Sequence, residues 1–179
     1  MNDGKTPDPA KDHIAAVFYA FQKSETESIR KGAIVVGSEH LNNSRIRCIP
    51  FEDVSSELEA LNLLVDIVTE LDPDVVTGWE VQRGSWGYIN SRAALYGSLF
   101  ICILSSRRPM ESGFEFLDLI SRTPTRRTAN DNDQWGSRHT STVKIMGRHV
   151  LNTWRIMRSE RNLASYTLEN VAFHVLHRR

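Results

Sequence analysis

Apolar and polar positions follow two rhythms along this chain, one of strands and one of helices. HIAAVFYAF (13–21) is a nearly continuous apolar run of strand length, rich in aromatics, which predicts a buried strand. GAIVVGS (32–38) predicts a second, and RIRCIPF (45–51), alternating basic with apolar, a third. KSETES between the first two reads as a polar hairpin tip, and the short connections suggest an antiparallel meander.

The period then changes to three and four. Leu58, Leu61, Leu64, Val65, Val68 and Leu71 form one apolar stripe, the signature of a helix that buries a single face. Ser56 and Glu59 stand at capping-box spacing before it, and Asp72-Pro73 ends it, because proline disfavours helical backbone in the preceding residue. DVVTGW is a β-branched strand in which Gly78 permits a tight bend. A second helix is predicted near Ser85 to Tyr96, with Trp86, Ile89, Ala93 and Tyr96 on one side.

From Leu99 to Arg138 the pattern weakens, with one short helix suggested by FEFLDLISR. TVKIMGRHV (142–150) alternates like a strand. LNTWRIMRSERNL predicts a helix with Leu151, Trp154 and Met157 on one face, and Thr167 is an N-cap for a last helix, LENVAFHVLHRR. Residues 1–12 read as a loose arm and 13–179 as one α/β domain with a mixed sheet.

Composition narrows the picture. Twenty-two basic and 22 acidic residues cancel, so no global field draws the chain to nucleic acid or a membrane surface. The apolar runs fall short of the roughly 18 residues that span a bilayer. Cys48 and Cys102 have neither zinc nor redox spacing, which fits a reducing compartment.

Candidate chemistry is sparse. Two-metal nuclease sites use carboxylates at D-x-E spacing on a strand, where alternation puts both on one face; no predicted strand carries that pair. Asp131 with Asp133 and Glu25 with Glu27 have the alternate spacing, but in a turn-rich loop and a hairpin tip. The six histidines share no metal or catalytic spacing, and no nucleophile elbow or phosphate loop is present. The basic residues Arg148, Arg155, Arg158, Arg161, Arg178 and Arg179 gather near the last helices, where phosphate contact and an ordinary solvated or docking face are both open readings. Arg122, Arg126, Arg127 and Arg138 form a second run in the irregular segment.

DPDVVTGWEVQRGSWGYINSRA (72–93) resembles the second exonuclease motif of family B DNA polymerases: DPD, β-branched residues, G, an aromatic, then N-I-x-x-F-D and an aromatic before R-A. In this chain Glu80 stands at the Asn position, Gly84 at the Phe position and Ser85 at the metal-binding Asp position. Glu followed by S-W-G-Y is similar to one translesion branch of that family, whose exonuclease domain is degenerate. GRHVLNTWRIMRSERNLASYTLENVAFHVLHRR and PDPAKDHIAAVFYAF resemble the same branch.

The resemblance implies a ribonuclease-H-like mixed sheet flanked by helices, truncated at both ends: after the first exonuclease motif and before the third. It leaves 99–115 as an unplaced insertion. It implies a parent that is a DNA-directed DNA polymerase of the nucleus, using Mg²⁺ and deoxynucleotides in translesion synthesis and DNA repair. Expected partners are DNA, the remaining polymerase domains and accessory polymerase subunits, with no membrane. Within this segment it implies no cofactor, no metal, and a scaffolding or nucleic-acid-binding role; Arg148, Arg155 and Arg158 of the basic cluster are the candidate contacts. Two alternatives stay open: an active 3′–5′ exonuclease with unconventional ligands such as Asp74, Glu80 and Asp131, and a stand-alone interaction module for a polymerase partner.

Overall fold

The computed structural model describes residues 7–37, 49–104, 116–123 and 143–177. Cys48, Asp131, Asp133, Arg126, Arg127, Arg138, Arg178, Arg179 and most of the strand expected at 45–51 lie outside them. The chain divides into two compact units, one of 1–73 and 89–120, the other of 74–88 and 121–179.

In the first unit Ala16–Phe21 (β1) pairs antiparallel with Arg30–Val36 (β2), Tyr19 facing Gly32, around the expected polar tip. Phe51–Val54 (β3) joins the other edge of β2. It runs parallel to β2, with Ala33 opposite Phe51 and Val36 opposite Val54, so the expected antiparallel meander is corrected. Parallel strands need a crossover of about a dozen residues, and residues 37–50 provide that length. The central strand is buried over four consecutive residues, Gly32 to Val35, as a strand covered on both faces requires. β1, at the edge, is only half-buried and leaves Phe18 58% exposed, which corrects its prediction as a buried strand.

Helix α1 (Glu57–Leu71) packs on β2 and β3. Leu61, Leu64, Val65 and Val68 are buried as the stripe predicted, each contributing roughly 1.5–3 kcal/mol. Ser56 caps the helix by accepting the Glu59 N–H, while the Glu59 carboxylate takes the N–H and hydroxyl of Ser55, one residue before the usual capping-box partner. These bonds from Ser55 hold the Glu59 carboxyl below its ordinary pKa. At the other end Asp72, in left-handed backbone before Pro73, returns its N–H to Val68 O.

Residues 7–12, expected to be loose, fold into a turn. Asp8 accepts from the Ala10 N–H through its side chain and from Lys11 and Asp12 N–H through its carbonyl. Helix α2 (Trp86–Leu104) outruns its predicted end and takes in 99–104, because no proline or glycine interrupts the run after Gly97. A short helix, α3 (Phe116–Leu119), follows.

In the second unit Val75–Gly78 (β4) pairs parallel with His149–Asn152 (β5), Gly78 facing Asn152. The strand expected over 142–150 is confined to its last two residues. A turn precedes it, closed by Arg148 N–H on Ile145 O, with Gly147 at φ +81°. Leu151 and Asn152, expected in a helix, complete β5, and α4 (Thr153–Glu160) begins after them with Asn152 as its cap. Thr167 caps α5 (Leu168–Leu176) as predicted. No helix among the described residues is long and apolar enough to cross a membrane.

Candidate functional site

Strand β4 delivers a turn, residues 79–85, from the end of a parallel pair into α2. The carboxyl ends of parallel strands are where open α/β sheets place ligands. Three hydrogen bonds shape the turn: Gly84 N–H to Glu80 O and Gly87 N–H to Val81 O, both 2.8 Å, and Arg83 N–H to the Glu80 carboxylate, 2.8 Å. Val81 is fully buried as its anchor, and Trp86 Nε1–H donates to Thr77 O at 2.9 Å.

Of the two sequence-predicted positions, Glu80 adopts φ +50°, uncommon for a residue with a side chain, and its carboxylate caps the turn through Arg83 N–H. Ser85 projects its hydroxyl into the space above Gly78, where a side-chain carbon at residue 78 would collide with it. Only glycine at 78 leaves that room. On the adjacent strand Asn152, 5% exposed, is register partner to Gly78, so its side chain rises from the same sheet face. Its Oδ1 accepts the Arg155 N–H at 3.3 Å. Its Nδ2 and the Ser85 hydroxyl are buried with no hydrogen-bond partner among the described residues.

This donor set does not fit a divalent cation. A hard dication needs anionic oxygens, and Ser85 and Asn152 offer a neutral hydroxyl and a neutral amide. Asp74 is committed elsewhere, to Arg122 Nη1 at 2.6 Å, and Asp131 lies outside the described residues. Among the described residues no three His, Cys, Asp or Glu side chains form a set able to hold a metal.

The arginines that the sequence grouped have different surroundings. Arg155 donates to Gln82 Oε1 at 3.2 Å. Arg158, on the exposed side of α4, stacks its guanidinium on Trp154 and Tyr166, 4.8 and 5.7 Å from the ring centroids. Arg148 sits half-buried in the turn before β5.

Sequence reasoning missed a charged cluster in the first unit. Glu57, 5% exposed, opens α1, and Arg92, 3% exposed, rises from α2 to meet it. Arg92 Nε–H donates to Glu57 Oε1 at 2.8 Å and Nη2–H to Oε2, the two-pronged geometry that makes Arg–carboxylate pairs strong. Ile14 N–H and Tyr96 O–H donate to the same carboxylate at 2.8 and 2.6 Å, and Arg92 Nη1–H ties Pro9 O at 2.8 Å. His13 Nδ1 lies within bonding distance of both Arg92 Nη2 and Glu57 Oε2; a guanidinium can only donate, so on the neutral ring Nδ1 accepts from Arg92. Burial alone would push the Glu57 carboxyl up, but the hydrogen bonds from Arg92, Tyr96 and the Ile14 N–H outweigh it and bring the pKa from 4.5 to about 2. Contact with Glu57 raises the Arg92 pKa, and burial followed by Glu57 raises that of Tyr96. One signal was legible: Arg92 falls three residues after Ile89 and next to Ala93, on the buried stripe of α2.

A chain with this turn and mixed α/β architecture belongs to a known class. Residues 1–171 match the DNA polymerase family B exonuclease domain, and the chain is a member of that family, whose exonuclease domain is ribonuclease-H-like. Within it, the chain is similar to the DNA polymerase zeta catalytic subunits of Schizosaccharomyces pombe, 38% identical over 177 residues, and of Homo sapiens, 35% over 191. It is 30% identical over 186 residues to that of Saccharomyces cerevisiae. These alignments cover 96%, 97% and 98% of this chain but only 11%, 6% and 11% of the relatives, so it spans about a tenth or less of their length.

Proposed function

We propose that this chain is the exonuclease-type domain of a DNA polymerase zeta catalytic subunit, and that the domain serves as a scaffold and nucleic-acid-binding surface without cleaving DNA. The observation that carries this is the end of the β4–β5 pair, where Ser85 fills the room above Gly78 and Asn152 presents an N–H donor. Glu80, the one nearby acid in the turn, spends its carboxylate on the turn itself. A proofreading site needs charge at this point, and lesion bypass gains nothing from proofreading. On this reading the whole protein is a nuclear DNA-directed DNA polymerase of translesion synthesis and repair, requiring Mg²⁺. Its partners are DNA, the other polymerase domains and accessory polymerase subunits, with Arg148, Arg155 and Arg158 as the proposed DNA contacts.

The test is direct. Purified chain with Mg²⁺ or Mn²⁺ and end-labelled single-stranded DNA is expected to release no mononucleotide above the protein-free control. Release that Glu80→Ala abolishes would establish an exonuclease with unconventional ligands and overturn the proposal.

A further inference from the structure

We infer that Arg158 is a phosphate-docking residue for single-stranded nucleic acid, held in a binding-ready position by Trp154 and Tyr166. Arginine is ordinarily a flexible side chain that must be ordered when it docks. Here the ordering precedes the ligand. The guanidinium lies over both rings, and the rings are themselves fixed. Trp154 Nε1–H donates to Tyr166 O at 3.2 Å, and the Tyr166 hydroxyl donates to Arg161 O at 2.6 Å while accepting the Leu163 N–H at 3.2 Å. Preorganisation of this kind raises affinity by removing the ordering cost from the binding step.

Among the described residues Arg158 combines this ring contact with donors of its own that are unspent. Among the described residues no acceptor is bonded to its guanidinium. By contrast Arg92 and Arg122 are paired with carboxylates and Arg155 with Gln82. The contact with the two rings uses the charge and the flat face of the guanidinium but not its N–H groups, whose forked geometry suits a phosphate. Arg161 adds a second positive charge one turn on, at the end of α4. Flat guanidinium and aromatic surfaces are also what unpaired bases stack on, and a duplex hides its base faces. The chain carries no net charge, so the attraction is local and strongest at low salt.

The choice of nucleic acid as ligand rests on the polymerase reading above, but not on the loss of cleavage. The test is fluorescence anisotropy of a short labelled oligothymidylate with the full chain, in EDTA, across a salt series. Arg158→Ala is expected to weaken binding about tenfold and to lower the salt slope by about one. Arg158→Lys, which keeps the charge and loses the plane, is expected to weaken it several-fold. Wild-type affinity in Arg158→Ala or in Arg158→Lys, no binding by the wild-type chain, or equal binding of the matching duplex would each overturn the inference. Nucleotide release is read in a separate reaction with Mg²⁺, so the two proposals fail independently.

Discussion

The Glu57 cluster and the end of the β4–β5 pair treat polar groups in opposite ways. At Glu57 two full charges are buried, and nearly every lone pair and N–H is matched. At Ser85 and Asn152 the groups are neutral, and two of their polar atoms have no partner among the described residues. A buried charge is tolerated only when paired, whereas an orphaned hydroxyl or amide costs a modest amount that a fold can absorb. A charge that holds the fold together therefore keeps its partners. At the end of the β4–β5 pair the groups carry no charge, and the cost of leaving them unpartnered is small enough to persist.

That contrast can be broken experimentally, beginning with its strong side. Arg92→Met leaves the Glu57 carboxylate buried without its main partner and is expected to destabilise the chain by about 3–5 kcal/mol, measured as a lower urea midpoint with an unchanged m-value. Acid is the gentler form of the same experiment. The Glu57 pKa is about 2 in the folded chain and near 4.5 when unfolded. Its contribution is therefore fully present above the unfolded value and is lost as pH falls through the folded one. Stability is expected to drop by up to about 3 kcal/mol across that window, and Glu57→Gln should remove this component of the pH slope.

The weak side predicts smaller effects of both signs. Gly78→Ala drives a methyl into the Ser85 hydroxyl and is expected to cost about 1–3 kcal/mol. Ser85→Ala deletes an unpartnered hydroxyl, and is expected to stabilise by about 1 kcal/mol and to relieve part of the Gly78→Ala penalty in the double variant. Thermal melts of the four proteins measure the cycle. A destabilising Ser85→Ala would show that the hydroxyl has a partner and would erase the contrast.

Local patterns were readable because their causes are local. The α1 stripe, its Ser56 cap and its stop at Asp72-Pro73, the Thr167 cap and the DVVTGW strand all follow from spacing and backbone sterics within a few residues. Glu80 and Ser85 were identified from the motif, but their behaviour was not. Neither spacing nor motif indicates that Glu80 turns back on Arg83 N–H or that Ser85 sits over Gly78. The expectation of a loose arm failed over residues 7–12 for a related reason: what pins Pro9 is Arg92, 83 positions along the chain.

By itself, then, the sequence determined most of the helices and strands, the buried stripe of α1, and a resemblance to the family's motif at Glu80 and Ser85. Tertiary structure decided the parallel pairing of β2 with β3, the extent of β5, the union of Glu57 with Arg92, and the difference between a tied Arg155 and an unspent Arg158. The physical reason is range. Helix periodicity and capping act within one or two turns of chain, whereas strand order and the matching of buried polar groups depend on residues that only folding brings within 3 Å or so of one another.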